Sequence, residues 1–195
     1  FDTIYHEHYS YYSLYTFKKI AEQFSLKVID VEKIPTHGGS LRVWLTSKLN
    51  TSEMINKSVE KLINEEVKEG LISEKIFDNF QKRAEKVKLD LLQMLINFKL
   101  EEKKIIGYGA AAKGNTLLNF CGIKNDLLPA IIDKAESKQG KYTPGSKIPI
   151  LSPNHLDIIK PDYILVLPWN IIDEIQSHLT NYELITAIPT VSKYI

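Results

Sequence analysis

The fold is decided by residues 103–120, which read KKIIGYGAAAKGNTLLNF. The stretch starts as an apolar strand, turns at two glycines and continues with the composition of a helix. Gly107, Gly109 and Ala112 fit the pattern G-x-G-x-x-G/A. In that pattern the first glycine permits a tight turn, the second lets a ligand approach the backbone, and the last small residue lets the helix pack on the strand. The stretch therefore predicts a strand–turn–helix unit of a parallel α/β sheet.

The same turn is a candidate site for a phosphate group or a nucleotide. The N-terminus of a helix presents unpaired N–H groups and the positive end of the helix dipole to an anion. Lys113 and Asn115 add a charge and an amide within the next turn. Asp133 follows about 20 residues later, where a ribose-binding acid is expected in dinucleotide-binding proteins. A tight packing turn without a ligand is the alternative interpretation.

The sequence after the turn alternates between strand and helix patterns. Apolar strands are predicted in LLPAIID, KIPIL, DYILVL and ELITAI, with a short helix near NHLDII and another at about 170–179. Continuous apolar strands separated by helices are typical of a parallel sheet covered on both faces. We predict a three-layer, Rossmann-like α/β domain over residues 103–195.

Two segments of that domain contain further candidate ligand groups. Residues 138–150, KQGKYTPGSKIPI, include Lys138, Lys141 and Lys147, which either close over phosphates or belong to a solvated surface loop. Residues 167–170, LPWN, place Trp169 at the carboxyl end of a strand, where ligands bind in open α/β sheets. A packing lid is the other interpretation of this tryptophan.

The first half of the chain is organised differently. Residues 1–50 predict a helix from Ser13 to Gln23 with Ser13 as N-cap, then strands at 26–34 and 40–46 around a turn that contains PTHGG. This is how an α/β sheet can finish, with an antiparallel hairpin at its edge. Residues 51–102 predict a helical connector that divides near Gly70, and its long apolar stripe predicts packing between two domains.

The chain opens with FDTIYHEHYSYYSL, a run that a protein core does not use. Histidines and a glutamate can do acid–base chemistry near neutral pH. A metal site formed by His6, His8 and a third ligand such as His37 is a second interpretation. A frayed polar terminus is the third.

The bulk composition excludes several function classes. The 195 residues carry 25 Lys+Arg and 24 Asp+Glu, a net charge of +1 that does not indicate a nucleic-acid or membrane partner. The single cysteine, Cys121, rules out a disulfide framework and a Cys-based zinc site within this chain. No run approaches 18 apolar residues, so no membrane span is predicted. We expect a cytoplasmic protein.

Five motifs occur in order along the chain: IYHEHYSYYSL, IPTHGGSLRVWL, GYGAAAKGNTLLNFCGI, KQGKYTPGSKIPI and LPWN. Together they resemble the sugar C-methyltransferases, which use S-adenosylmethionine to methylate a nucleotide-activated keto-deoxysugar at carbon. The resemblance covers nearly the whole chain. It implies the end of a methyltransferase domain, over residues 1–50, followed by the helical connector and a C-terminal domain that helps to hold the nucleotide sugar.

The resemblance also implies which parts of such an enzyme to expect elsewhere. The family has an N-terminal zinc-binding domain and a glycine-rich loop for the methyl donor, and both would lie before Phe1. S-adenosylmethionine would therefore bind mostly outside this chain, zinc would belong only to the other domain, and no metal site is expected here. We expect the chain alone to be inactive.

The resemblance assigns catalytic roles to Tyr5, Glu7 and His8. His8 is expected to remove the proton from the sugar carbon beside the ketone, Tyr5 to assist proton transfer or stabilise the enolate, and Glu7 to orient the pair. The expected substrate-binding residues are His37, Gly38, Gly39, Gly107, Gly109, Lys113, Asn115, Lys141 and Trp169.

The expected substrate is a nucleotide sugar, with a dTDP-sugar favoured, and the oligomeric state stays open. Three other functions remain as alternatives. One is an NAD(P)-dependent oxidoreductase acting on nucleotide sugars, which the glycine pattern and Asp133 suggest. The others are a non-catalytic module that binds nucleotide sugars, and a packing scaffold without a ligand.

Overall fold

A computed structural model describes residues 8–36 and 39–194 of the chain. These residues divide into two compact units, and the boundary between them along the chain falls within one long helix, between residues 82 and 83. We call residues 8–82 the first unit and residues 83–194 the second unit. No helix in the described ranges is long and apolar enough to cross a membrane.

The first unit is a two-stranded antiparallel sheet with helices packed on it. Its elements are α1 (Leu14–Gln23), β1 (Leu26–Ile34), β2 (Ser40–Ser47), α2 (Lys57–Lys68) and the beginning of α3 (Lys75–Leu100). The predicted cap of α1 is confirmed, because the Ser13 hydroxyl accepts a hydrogen bond from the Thr16 N–H at 3.1 Å. The buried core of the unit comprises Leu14, Ala21, Val28, Val31, Val59 and Leu62.

Residues 51–56 are not helical, so the predicted helical connector begins too early. Asn56 has an extended backbone and caps α2 with its side chain, which accepts from the Ser58 N–H. The Asn56 N–H donates to the carbonyl of Ile29 at 2.8 Å and so ties the segment to β1. This bond holds Asn56 in an extended conformation, so the helix starts only after it. The contact with β1 is a tertiary one, and the composition after Thr51 gives no sign of it.

A buried carboxylate joins α1 and α2 of the first unit. Glu66 of α2 is 6% exposed and accepts hydrogen bonds from the N–H groups of Leu14 and Tyr15 at 2.6 and 2.8 Å. The first N–H groups of a helix have no partner within the helix and lie at its positive end. Glu66 therefore satisfies the start of α1 from a neighbouring helix.

The second unit is a six-stranded sheet between two layers of helices. Its elements are the second half of α3, β3 (Ile105–Tyr108), α4 (Ala112–Cys121), β4 (Ile131–Ile132), β5 (Ile150–Leu151), α5 (His155–Ile159), β6 (Tyr163–Val166), a 3₁₀ turn (Trp169–Ile171), α6 (Ile172–His178), β7 (Glu183–Thr186) and β8 (Ser192–Tyr194). The strand order is β5-β4-β3-β6-β7-β8. The first five strands in this order are parallel, and β8 is antiparallel to β7.

The predicted three-layer, Rossmann-like fold is confirmed. On one face of the sheet, α3 and α4 bury Leu91, Leu95, Leu117 and Leu118 against it. On the other face, α5 and α6 bury Leu156 and Ile175. The order of the strands is that of the doubly wound nucleotide-binding folds, in which the chain adds strands first on one side of the starting strand and then on the other.

The strand predictions are less accurate for β4 and β8. Of LLPAIID only Ile131–Ile132 is a strand, because Pro129 has no N–H to donate to a ladder. The final strand, β8, was not predicted. It is three residues long and follows shortly after Pro189, so it carries little of the period-two pattern by which strands are recognised.

Candidate functional site

The candidate site lies at the carboxyl edge of the sheet, where the strand order reverses. β4 and β5 lie on one side of β3, whereas β6 and β7 lie on the other. Residues 109–111 leave β3 and residues 167–170 leave β6, two neighbouring strands in parallel register. Ligands of open α/β sheets bind in the crevice at this point.

The glycines of the motif are required by close packing. At Gly109 the backbone has φ +81°, and an added Cβ would lie 2.6 Å from Cδ of Pro168. At Gly107 a Cβ would lie 2.8 Å from Cγ1 of Ile131 on the neighbouring strand. The packing role expected of Ala112 belongs to Gly114, where a Cβ would lie 2.5 Å from Cβ of Leu167. Ligand contacts of Gly107 and Gly109 stay a prediction.

The start of α4 faces this edge without a side-chain cap. Ala111 is the N-cap residue, has an extended backbone (φ −87°, ψ 152°) and makes no capping bond with its side chain. Nonpolar caps are unfavourable because they leave the first N–H groups of a helix without an acceptor. An anionic ligand is one group that can satisfy them.

Asp133 lies beside the glycine turn and is bound to it. Its carboxylate accepts hydrogen bonds from the N–H groups of Ala110 (2.7 Å) and Ala135 (2.8 Å) and from the amine of Lys138 (3.1 Å). Burial opposes ionisation of this carboxyl, but the bonds from Ala135, Lys138 and Ala110 outweigh it and hold its pKa below the usual range. The acid suggested as a ribose ligand is therefore engaged by the protein itself.

Lys113 and Trp169, both predicted as ligand residues, are brought together. The Lys113 amine donates to Oδ1 of Asn170 at 2.6 Å and lies 5.3 Å from the centroid of the Trp169 ring. Asn170 was not singled out from the sequence. The sequence feature that could have identified Asn170 is its position directly after Trp169, in the segment that follows β6.

Two polar atoms on the segments that follow β3 and β6 are buried, and the described residues offer them no hydrogen-bond partner. They are Oδ1 of Asn115 and Nε1 of Trp169. Trp169 is 6% exposed and packs in the core with Leu167, so the packing interpretation of this residue holds for most of its ring. A buried polar group left unpaired costs about 1–3 kcal/mol, which marks these two atoms as candidates for a bound water or ligand.

The loop at residues 138–150 is an ordered strap against α4. The hydroxyls of Thr143 and Ser146 are 2.6 Å apart and buried, and Nδ2 of Asn119 donates to the carbonyl of Pro144 at 3.0 Å. Lys141 is exposed on this strap, whereas the amine of Lys138 is turned inward to Asp133. Lys138 is one of the three lysines of this loop that were considered for phosphate binding. Its amine also donates to the carbonyl of Ala110 in the glycine turn.

The remaining predicted residues belong to the first unit or lie outside the described ranges. The His8 ring stacks on Tyr11, with centroids 4.3 Å apart. Gly39 has φ +118° and closes the turn between β1 and β2, donating its N–H to the carbonyl of Thr36 at 3.0 Å. Outside the described residues lie Tyr5, Glu7, His37 and Gly38. Their catalytic and binding roles stay predictions.

Residues 35–189 match a protein family described as the C-methyltransferase C-terminal domain. The chain belongs to this family. It is also similar to the C-methyltransferase NovU of Streptomyces niveus, with 37% identity over 175 residues. The aligned region covers 90% of this chain and 41% of NovU, so the chain spans less than half the length of this relative. The predicted membership of a C-methyltransferase family is confirmed.

The metal site of His6, His8 and a third ligand such as His37 stays an interpretation, because His6 and His37 lie outside the described residues. Within residues 8–36 and 39–194, no group of three or more His, Cys, Asp or Glu side chains is arranged to hold a metal ion.

Cys121 is buried in the core of this C-methyltransferase domain, and burial raises its pKa to about 11. A thiol of this kind is inert, because the thiolate is the reactive form.

Gly109→Ala should destabilise the domain more than Gly140→Ala does. Both glycines have a left-handed backbone, with φ +81° and +75°, but a Cβ at Gly140 would meet open space. We expect about 1–2 kcal/mol from the backbone conformation in both variants, and about 1–3 kcal/mol more at Gly109 from the clash with Pro168. Urea unfolding of the two variants would measure the difference.

A Gly109→Ala/Pro168→Ala double variant provides the control, because it removes the atoms that the new Cβ meets. It should regain part of the stability lost by Gly109→Ala alone. Equal losses for Gly109→Ala and Gly140→Ala would show that the close approach to Pro168 is not a constraint on the turn.

Proposed function

We propose that this chain is part of an S-adenosylmethionine-dependent C-methyltransferase whose substrate is a nucleotide-activated keto-deoxysugar, and that the second unit holds the diphosphate of that substrate. The observation that carries the proposal is the position of Lys113. Its amine lies at the uncapped start of α4, beside Trp169 and Asn170, where the strand order reverses. Membership of the C-methyltransferase family supports the reaction class.

A diphosphate suits the chemistry of this edge. A helix N-terminus supplies N–H donors and a positive partial charge, and a lysine nearby adds a full charge that binds phosphate as a point cation. The exposed Lys141 is a further cation on the adjacent strap. We propose a dTDP-sugar as the ligand. A cytoplasmic location is part of the same proposal.

The proposed reaction methylates the carbon next to a ketone. That carbon becomes nucleophilic only when a base removes its proton, and the enolate oxygen that forms needs a hydrogen-bond donor. We assign the base to the imidazole of His8, the donor to the hydroxyl of Tyr5 and the orienting carboxylate to Glu7. S-adenosylmethionine, which the family implies, would supply the methyl group from its sulfonium.

The described residues of the first unit do not fit the methyl donor. Their sheet is an antiparallel pair, β1 and β2, and it has no parallel carboxyl edge of the kind that nucleosides occupy in open α/β sheets. We therefore assign no described residue of the first unit to the donor.

The oxidoreductase alternative is disfavoured by Asp133. In dinucleotide-binding proteins the acid in this position accepts hydrogen bonds from the ribose. Here three protein donors already occupy the carboxylate.

Lys113→Met should weaken the binding of dTDP about 10- to 100-fold, because it removes a charge-assisted hydrogen bond to the diphosphate. Isothermal titration calorimetry would measure the affinity, with NAD and S-adenosylmethionine as comparison ligands. Lys124→Met is the matched control, since it removes an exposed lysine of the same unit. The proposal fails if dTDP does not bind or if both variants bind it equally; tight binding of NAD would favour the oxidoreductase.

His8→Ala should abolish the exchange of the substrate α-proton with solvent. The intact protein, incubated with a dTDP-ketosugar in D₂O without a methyl donor, is expected to incorporate deuterium beside the ketone, because deprotonation precedes methylation. Mass spectrometry would follow the exchange, and His6→Ala is the control, since this histidine lies two residues away and has no role in the proposed reaction. Unchanged exchange in His8→Ala would rule out the histidine as the base.

A further inference from the structure

The glycine turn is fixed at a single residue by two charged side chains. The N–H of Ala110 donates to Oδ2 of Asp133 at 2.7 Å, and the carbonyl of Ala110 accepts from the Lys138 amine at 3.0 Å. Asp133 and Lys138 also pair with each other at 3.1 Å. Both polar groups of the Ala110 backbone are thus bound by an ion pair that comes from the segment after β4.

The geometry of Asp133 leaves little capacity for a ligand. The residue is 7% exposed, and its two oxygens already accept three hydrogen bonds, two of them at Oδ2. A carboxylate has about four acceptor positions. A bidentate contact with the two hydroxyls of a ribose, as made by the acids of dinucleotide-binding proteins, would require the turn to be released.

The conformation of Ala110 in turn sets the direction of α4. Ala110 stands between Gly109, which has a left-handed backbone, and Ala111, the N-cap of the helix. A rotation at Ala110 would redirect the first N–H groups of α4 and displace Lys113 in the first turn. Groups that bind an anion are most effective when they are held in place before the ligand arrives.

We propose that Asp133 and Lys138 are positioning residues for the nucleotide site: they hold the glycine turn so that α4 presents its first turn to the diphosphate, and neither residue reads the ribose. The inference rests on the proposed function for the identity of the ligand. Under this inference Asp133 does not bind the ribose, as the acid of this glycine pattern does in dinucleotide-binding proteins, but fixes the conformation of the phosphate-binding turn.

Titration calorimetry with three ligands tests the proposal. UDP has a ribose 2′-hydroxyl, dTDP lacks it, and inorganic pyrophosphate has no sugar. Asp133→Asn and Lys138→Met should each weaken all three ligands by the same factor, about tenfold, because the loss lies in the shared diphosphate contact. Glu136→Gln and Lys134→Met, which remove the same charges from exposed positions of the same segment, should leave the affinities within about twofold.

The double variant Asp133→Asn/Lys138→Met separates positioning by a pair from two independent effects. If the ion pair acts as one unit, the double variant should bind the three ligands no more weakly than whichever single variant has the lower affinity. Lys138→Met also keeps the test open if Asp133→Asn fails to fold, since Lys138 is half-buried and its removal leaves the two N–H bonds of Asp133 in place.

Other outcomes would overturn the inference in distinguishable ways. A loss for UDP alone would make Asp133 a ribose ligand after all. Unchanged affinity for all three ligands in both variants would make the ion pair a purely structural feature. If the unmodified protein binds none of the three ligands, both the proposed function and the inference fail. If the unmodified protein binds them but the variants do not show the expected loss of affinity, only the inference fails.

Discussion

The second unit depends on how closely the segment after β3 approaches the segment after β6. Side-chain atoms at Gly109 and Gly114 would lie 2.6 and 2.5 Å from Pro168 and Leu167, so both positions exclude even a methyl group. This close packing places the start of α4 against the end of β6. It brings Lys113 to Trp169 and Asn170, and so assembles groups that are more than 50 residues apart in sequence.

Both units use a buried carboxylate to hold backbone N–H groups that would otherwise lack a partner. Glu66 accepts from the first residues of α1, and Asp133 accepts from the turn that leads into α4. The two differ in what they leave available. Glu66 satisfies the start of its helix, whereas Asp133 binds the turn one residue before the N-cap, and the uncapped first turn of α4 is left to an anion.

Much of the fold was predictable because its signals are local. The cap at Ser13, the break near Gly70 and the strand–turn–helix at residues 103–120 depend on neighbouring residues, and all three are confirmed. The site was predictable only in part. Lys113 and Trp169 were named from the sequence. The hydrogen bond from Lys113 to Asn170 and the one from Lys138 to Asp133 were not, because they are tertiary contacts without a local sequence pattern. Gly107 and Gly109 were named as ligand-binding residues, and protein packing also requires a glycine at both positions. Their ligand contacts stay a prediction.

The central claim is that a nucleotide diphosphate binds at the carboxyl edge of β3 and β6. The most direct measurement is a two-dimensional NMR titration of the ¹⁵N-labelled protein with dTDP, followed by the amide signals. The account predicts that the signals of residues 110–114 and 169–170 shift, while those of α2 in the first unit stay in place. Shifts confined to α2, or to the opposite edge of the sheet around Ile105 and Tyr163, would contradict it.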